Sequence, residues 1–238
     1  MSGGWEAKRF WTDVTAGAVE GGWDVRLDGK PIRTPAKAAL VLPTEAMAEA
    51  IAAEWRKVEG KVDPRVMPVT RSANAAIDKV APQFDEVAGL ISDYGDSDLL
   101  CYRATDPELA AVQAAAWDPW LAWSAAALDA PLRVVEGIVA RAQPPESLAR
   151  LDARVRGTTP FELTALSDLV ALTGSLVLGL AAADRPGERE AIWQASRIDH
   201  TWQERKWGAD EEEQKGIAAK HRDFLHAGHF WDLSRPRA

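Results

Sequence analysis

The chain has 238 residues, 47% of them apolar, which is enough to enclose a core, and it carries a formal charge of −8. Acids outnumber Lys and Arg by 36 to 28, which argues against a general affinity for nucleic-acid phosphates and favours a basic partner. The single cysteine, Cys101, excludes an internal disulfide, and the stretch from Met1 to Lys8 offers neither a signal-peptide core nor an Arg-rich leader, the pattern expected of a cytoplasmic bacterial protein.

The N-terminal part reads as β structure. Phe10 to Val14, Trp23 to Leu27 and Leu40 to Leu42 are short apolar or alternating runs separated by turn residues. Trp23, Val25 and Leu27 share one face at a period of two. Asp28 and Gly29 between two such runs predict a type I′ hairpin turn, since both central positions need positive φ. Pro31 then belongs at a strand start or a sheet edge. After Pro43, Thr44 is placed to cap a helix with the stripe Met47, Ile51, Trp55 and Val58, ending near Gly60. Pro64 and Pro68 hold the next stretch extended. They mark the expected boundary between a β-rich N-terminal domain with one helix, 1–65, and a helical C-terminal domain, 66–238. The predicted fold class is α+β, a small β-rich domain followed by a larger all-helical one.

Beyond that boundary the periodicity is helical. Ile77, Val80, Phe84, Val87, Ile91 and Tyr94 alternate spacings of three and four, with Pro82 inside the stripe to kink or divide the helix. Further helices are expected at about 107–129, 145–156, 160–183, 187–206 and 210–227. Pro160 after Thr159 is a helix start, Asp210 and Glu213 have capping-box spacing, and Gly208 and Gly228 are stops. Leu163 to Ala183 reaches membrane-spanning length, but Asp168, Thr164, Ser167, Thr173 and Ser175 within it predict a buried core helix and no membrane insertion.

Chemistry-bearing patterns are sparse. Asp93, Asp96 and Asp98 lie close together but lack the glycine and glutamate of a calcium loop. His200, His221, His226 and His229 have no zinc spacing, and the last three fall on or after a helix face expected to be solvated. There is no Gly-x-Ser-x-Gly elbow, P-loop or dinucleotide fingerprint, and Cys101 reads as a small buried hydrophobe. Neither a metal, a cofactor nor a nucleotide is expected. A hydrolase built on the acids from Asp93 to Asp98 is the enzymatic alternative, and it requires a cleft in which they converge. A helical interaction module with a different client is the other.

Three segments hold the candidate binding residues. Tyr94, Asp98 and Arg103 flank Cys101, and Trp117 and Trp120 bracket Asp118 and Pro119; each is either a partner contact or a structural element. On the helix at 187–206, Ile192, Ala195, Ile198 and Trp202 form a core stripe. Asp199, Gln203 and Lys206 or Trp207 line a second, mixed face. Asp199, Gln203, Glu204 and Trp207, with Asp210 beyond the helix, are the expected partner-binding residues. The chain has 11 tryptophans, most of them expected in the core and the few exposed ones expected to mark a contact surface.

Several fragments, taken in order, carry a resemblance. They are Arg9 and Phe10, Leu27 to Lys37, Leu42 to Thr44, Ala53 to Trp55, Asp63 and Pro64, and Met67 to Thr70. Asp98 to Ala104, Trp117 to Leu121, and Gln203 with Trp207 and Gly208 follow. Over nearly the whole chain this set resembles the assembly chaperone family that protects the alpha subunit of the F-type ATP synthase catalytic head. The resemblance implies a small β-rich domain before a larger helical one, and a protein client in place of a substrate. It further implies that the client is the free alpha subunit, shielded until a beta subunit replaces the chaperone. Members of the family carry acidic residues one turn before the position of Gln203; here those positions read Asp199 and His200, so Asp199 keeps the acidic role and His200 departs from it. Eukaryotic members are mitochondrial and begin with a transit peptide, so the resemblance implies a bacterial relative.

Overall fold

The structure, a computed structural model, describes residues 8–137, 139, 141–208 and 210–236. Two compact units emerge: one holds the described residues up to Gln83 with Pro160–Thr164 and the segment from His229, and the other holds Phe84–Thr159 with Ala165–Gly228. The fold is α+β, as predicted.

In the first unit, β1 (Val14–Val19), β2 (Gly22–Leu27) and β3 (Lys30–Pro31) form an antiparallel sheet in that order, with Val14 opposite Leu27. Asp28 at φ 47 and Gly29 at φ 77 make the type I′ turn that joins β2 to β3. The first strand begins later than the expected Phe10 to Val14. The amides of Asp13 and Thr12 donate to Asp28 Oδ1 at 2.9 and 3.0 Å, so they cap a turn instead of joining a ladder. Those two bonds, led by the one from Asp13, hold the exposed Asp28 carboxyl below its ordinary value. Leu40 to Leu42 likewise forms no named strand; Leu42 makes a single bridge to Trp23, with bonds of 2.8 and 3.0 Å.

Helix α1 (Glu45–Arg56) starts where Thr44 accepts from Met47 N at 3.1 Å, and it buries Met47 and Ile51. Its Glu54 carboxylate reaches α2 (Pro68–Ala75), which has no capping side chain of its own, and accepts from Val69 N at 2.7 Å and Thr70 N at 2.8 Å. The helical path then widens to a π turn at Ala76–Val80 and tightens to a 3-10 turn at Ala81–Gln83. Pro82 lacks an amide proton, which is the physical reason the regular ladder lapses here.

The second unit is helical: α3 (Phe84–Ser92), α4 (Pro107–Ala127), α5 (Pro145–Arg156), α6 (Pro160–Thr173), α7 (Leu176–Asp184), α8 (Arg189–Ser196), α9 (Ile198–Trp207) and α10 (Glu211–Leu233). The first residues of α6 and the last of α10 belong to the other unit. A parallel pair, β4 (Tyr102–Arg103) and β5 (Val135–Glu136), joins the loops beside α4. The expected helix at 160–183 is broken at Gly174, φ 70, and Ser175 restarts it by accepting from Leu178 N at 3.0 Å. Every residue of α7 from Leu176 to Ala183 is buried. The expected helix at 187–206 divides at Arg197, whereas Pro119 is accommodated inside α4. Gly228 does not stop α10, because it is not among the residues with positive φ; its missing side chain instead admits Arg189, since a Cβ there would lie 2.5 Å from Arg189 Nε. That guanidinium donates to Ala182 O at 2.9 Å, so the close approach is held in place. Among the described residues no helix is long and apolar enough to cross a membrane.

Candidate functional site

Helix α9 is amphipathic in neither direction, and none of its residues is fully buried. Ile192 and Ala195 of α8 enter the core as expected, but Ile198 and Trp202 are only half-buried, because the break at Arg197 ends the shared stripe. Trp202 instead lies under Lys206, whose Nζ is 4.9 Å from the ring centroid. Lys206 also meets Asp106 at 3.1 Å, and this hydrogen bond is the main cause that holds the Asp106 carboxyl below its ordinary value.

Asp199 is half-buried and accepts from Gln113 Nε2 at 2.6 Å. Gln113, 3% exposed, accepts in turn from Ala104 N at 2.7 Å. Gln203 is exposed, and Trp207 is 77% exposed at the end of the helix. Helix α9 ends at Gly208, φ 89, where a side chain would be strained. Asp210 is exposed and caps α10 by accepting from Glu212 N at 2.9 Å and Glu213 N at 3.0 Å. Glu204 is half-buried and accepts from Gln214. His200 lies between the two helices: Nδ1 is 3.3 Å from Glu213 Oε1, and Nε2 faces Glu204 Oε1 at 3.0 Å, too far off-axis for a directed hydrogen bond. The α9–α10 turn thus presents an open indole, an amide and several carboxylates. Gln113, Asp106 and the bridging role of His200 were not legible in sequence, since each acts across the fold.

The acidic segment resolves differently. Asp93 and Asp96 are exposed, while Asp98 is fully enclosed and accepts from Leu100 N and Val177 N, each at 3.0 Å. It anchors the 3-10 turn at Leu99–Cys101 to the start of α7. Burial pushes its carboxyl up, against the pull of the amides of Val177, Leu100 and Leu176 and the hydroxyl of Ser175. The three acids therefore do not converge on a cleft. Cys101 is buried, and desolvation, aided by the Asp98 charge, pushes its thiol up to about 12.

Arg103 is also interior, donating to Leu100 O and Asp118, with its guanidinium carbon 5.0 Å from the Trp117 ring centroid. Trp117 donates to Ala195 O at 2.8 Å, and Trp120 is 8% exposed. Of the residues read as contact or structure, Asp98, Arg103, Trp117 and Trp120 are thus enclosed, and Tyr94 is half-buried. His221, expected on a solvated face, stacks on Trp193 at 5.2 Å and meets Glu190 at 2.9 Å. Among the described residues no group of three or more His, Cys, Asp or Glu is arranged to hold a metal ion.

An α+β protein in which, among the described residues, the one largely exposed indole stands on a polar helical turn has the features of a protein that presents a surface. Comparison with known proteins specifies it. The sequence model of a family described as ATP12 chaperone protein matches residues 8–125. The crystal structure of Atp12 from Paracoccus denitrificans is 49% identical, with a TM-score of 0.94, over 98% of this chain and 100% of that one. An aspartate-to-lysine mutant of Atp12p from the same organism is also 49% identical, with a TM-score of 0.94, covering 96% and 98% of the two chains. A protein from Agrobacterium tumefaciens described as a candidate chaperone is 41% identical, with a TM-score of 0.90, over 96% of this chain and 86% of that one. The chain belongs to the ATP12 chaperone family.

Proposed function

We propose that the chain is an assembly chaperone of the F-type ATP synthase, which binds the free alpha subunit of the catalytic head, keeps it from aggregating and yields it to the beta subunit. It works in the bacterial cytoplasm, catalyses no reaction and needs no nucleotide. The observation that carries this reading is Trp207, 77% exposed beside Gln203, Glu204 and Asp210 on the α9–α10 turn, with Asp199 one turn earlier. An indole left in water forgoes the stabilisation its burial brings, and aromatic groups at the centre of a polar rim dominate many protein contacts. An unassembled subunit exposes the apolar surface that its neighbours will cover, and covering it removes the drive to aggregate. Release needs only a beta subunit that buries more surface and binds better.

The test is direct. Purified chain added in equal amount to refolding alpha subunit keeps it in solution, and a tagged chain recovers free alpha subunit but not the assembled head. Trp207→Ala weakens capture by about tenfold, the loss typical of an anchoring aromatic. Alpha subunit that precipitates equally fast with and without the chain overturns the reading.

A further inference from the structure

Beyond the β2–β3 turn, the first unit carries a second reversal of opposite charge to the rest of the molecule. Between Asp28 and Glu45 the chain has Lys30, Arg33 and Lys37 and no acid, in a protein with a formal charge of −8. We propose that the loop from Arg33 to Lys37, with Lys79 beside it, is a docking site for an acidic segment of a partner protein. The loop lies in the first unit, and its chemistry is separate from that of the α9–α10 turn.

The first observation is that the loop is firmly built. Arg33 and Ala39 bridge across its base, Thr34 N donates to Ala38 O at 3.1 Å, and Lys37 N donates to Thr34 O at 2.8 Å. The Thr34 hydroxyl, on a residue only 3% exposed, accepts from Ala38 N at 3.1 Å and donates to Asp78 Oδ1 at 2.6 Å. Ala36 N donates to the other Asp78 oxygen at 3.0 Å. Pro31 and Pro35 fix two further φ angles. The shape is set before a partner arrives, so little conformational freedom is lost on docking.

The second observation is unmet charge. Arg33, Lys37 and Lys79 are exposed, and among the described residues none of them is paired with a carboxylate. Arg33 spends one guanidinium nitrogen on Lys37 O at 2.9 Å, which ties the two cations together. Asp78 gives both carboxylate oxygens to neutral donors of the loop, and so brings Lys79, the next residue, to the loop's side without neutralising it. Lys30 differs, because the nearby charge of Asp28 offsets it.

The third is the backbone of Lys37, at φ 68 in the left-handed region that a Cβ disfavours. Among the described residues seven glycines take positive φ, and the other two non-glycine residues that do so are Asp28 and Asp129, of a type that tolerates it. Glycine at position 37 would remove the cost. A lysine there keeps an ammonium on the outside of the turn, and strain retained at an exposed charge points to a contact.

Charge complementarity selects the occupant. A carboxylate takes bidentate hydrogen bonds from an Arg and a point charge from a Lys. A nucleic acid or an anionic membrane presents many charges at once and meets the field of the whole acidic chain, whereas a short acidic segment meets the loop alone.

Fluorescence anisotropy of a labelled hexaglutamate peptide, titrated with the full chain at low salt, tests the site. Rising salt weakens the binding. Arg33→Gln and Lys37→Gln each weaken it by about threefold, and the double variant by about tenfold, with unchanged melting curves. Lys220→Gln, which removes an exposed charge from α10, changes it by less than about twofold. Lys37→Gly separates contact from structure: it weakens binding as Lys37→Gln does, while the melting temperature holds or rises. A double variant that binds as wild type overturns the site, as does Lys220→Gln weakening binding as much as Arg33→Gln. Wild type that leaves the peptide free at low salt does the same. A short single-stranded oligonucleotide or phosphatidylglycerol vesicles bound more tightly than the peptide, and released by the double variant, overturn the protein segment as occupant.

Discussion

Asp98 and Cys101 lie within one turn of each other, fully enclosed. Removing the carboxylate in Asp98→Ala leaves the amides of Leu100 and Val177 without acceptors, each costing about 1–3 kcal/mol, so the melting temperature falls by about 4–24 °C. Its pH dependence follows from the direction of the shift. The folded carboxyl holds its proton more tightly than the unfolded one, so its contribution is complete below the ordinary value of 3.8 and declines as pH rises through the folded value. The stability gap between wild type and Asp98→Ala is therefore larger at pH 4 than at pH 7 in denaturant titrations; a gap that grows toward neutrality contradicts the raised value. For Cys101, whose thiol sits near 12 against an ordinary 9.0, a thiol-reactive dye at pH 8 labels unfolded chain readily and native chain negligibly. Fast labelling of native protein refutes its enclosure. Cys101 was legible from the sequence as a small buried hydrophobe. Asp98 was not, because the amide of Val177 that it satisfies is far along the chain.

At the level of elements, the ends of helices carry most of the discrepancies. The run from Leu163 to Ala183 has the hydropathy of one buried helix, and its division shows in the positive φ of Gly174 and in the cap that Ser175 supplies to α7. The reversal brings α7 close to α6: a Cβ at Gly179 would lie 2.4 Å from Val170 Cγ2 and 3.1 Å from Val170 N. Gly179→Ala is accordingly destabilising by about 1–3 kcal/mol, read from thermal melting. An unchanged melting temperature means that the helices separate without cost. Caps that are local, such as Thr44 on α1 and Asp210 on α10, follow from spacing alone. The cap that Glu54 provides for α2 comes from another helix, and Glu54→Ala costs about 1–2 kcal/mol because Val69 N and Thr70 N both lose an acceptor.

For the whole molecule, the chain has an excess of acid, and its exposed indole, Trp207, lies near Glu204 and Asp210 in the sequence. Client capture weakens by about threefold between 50 and 300 mM salt, because exposed charges are screened over shorter distances as salt rises. Capture that is indifferent to salt assigns the contact to apolar burial alone. The sequence by itself determined the α+β class, the Asp28–Gly29 hairpin, the family resemblance and the polar, aromatic character of the Asp199 to Asp210 stretch. These depend on periods, turn conformations and residue order that neighbouring positions express. Only the tertiary structure decided which tryptophans are enclosed, with Trp117 and Trp231 inside and Trp207 in solvent. It alone turned Asp98 inward and tied Asp199 to Gln113 across 86 residues of chain. Burial and hydrogen-bond pairing are set by what the fold brings alongside a residue, and a one-dimensional pattern holds no record of neighbours that distant.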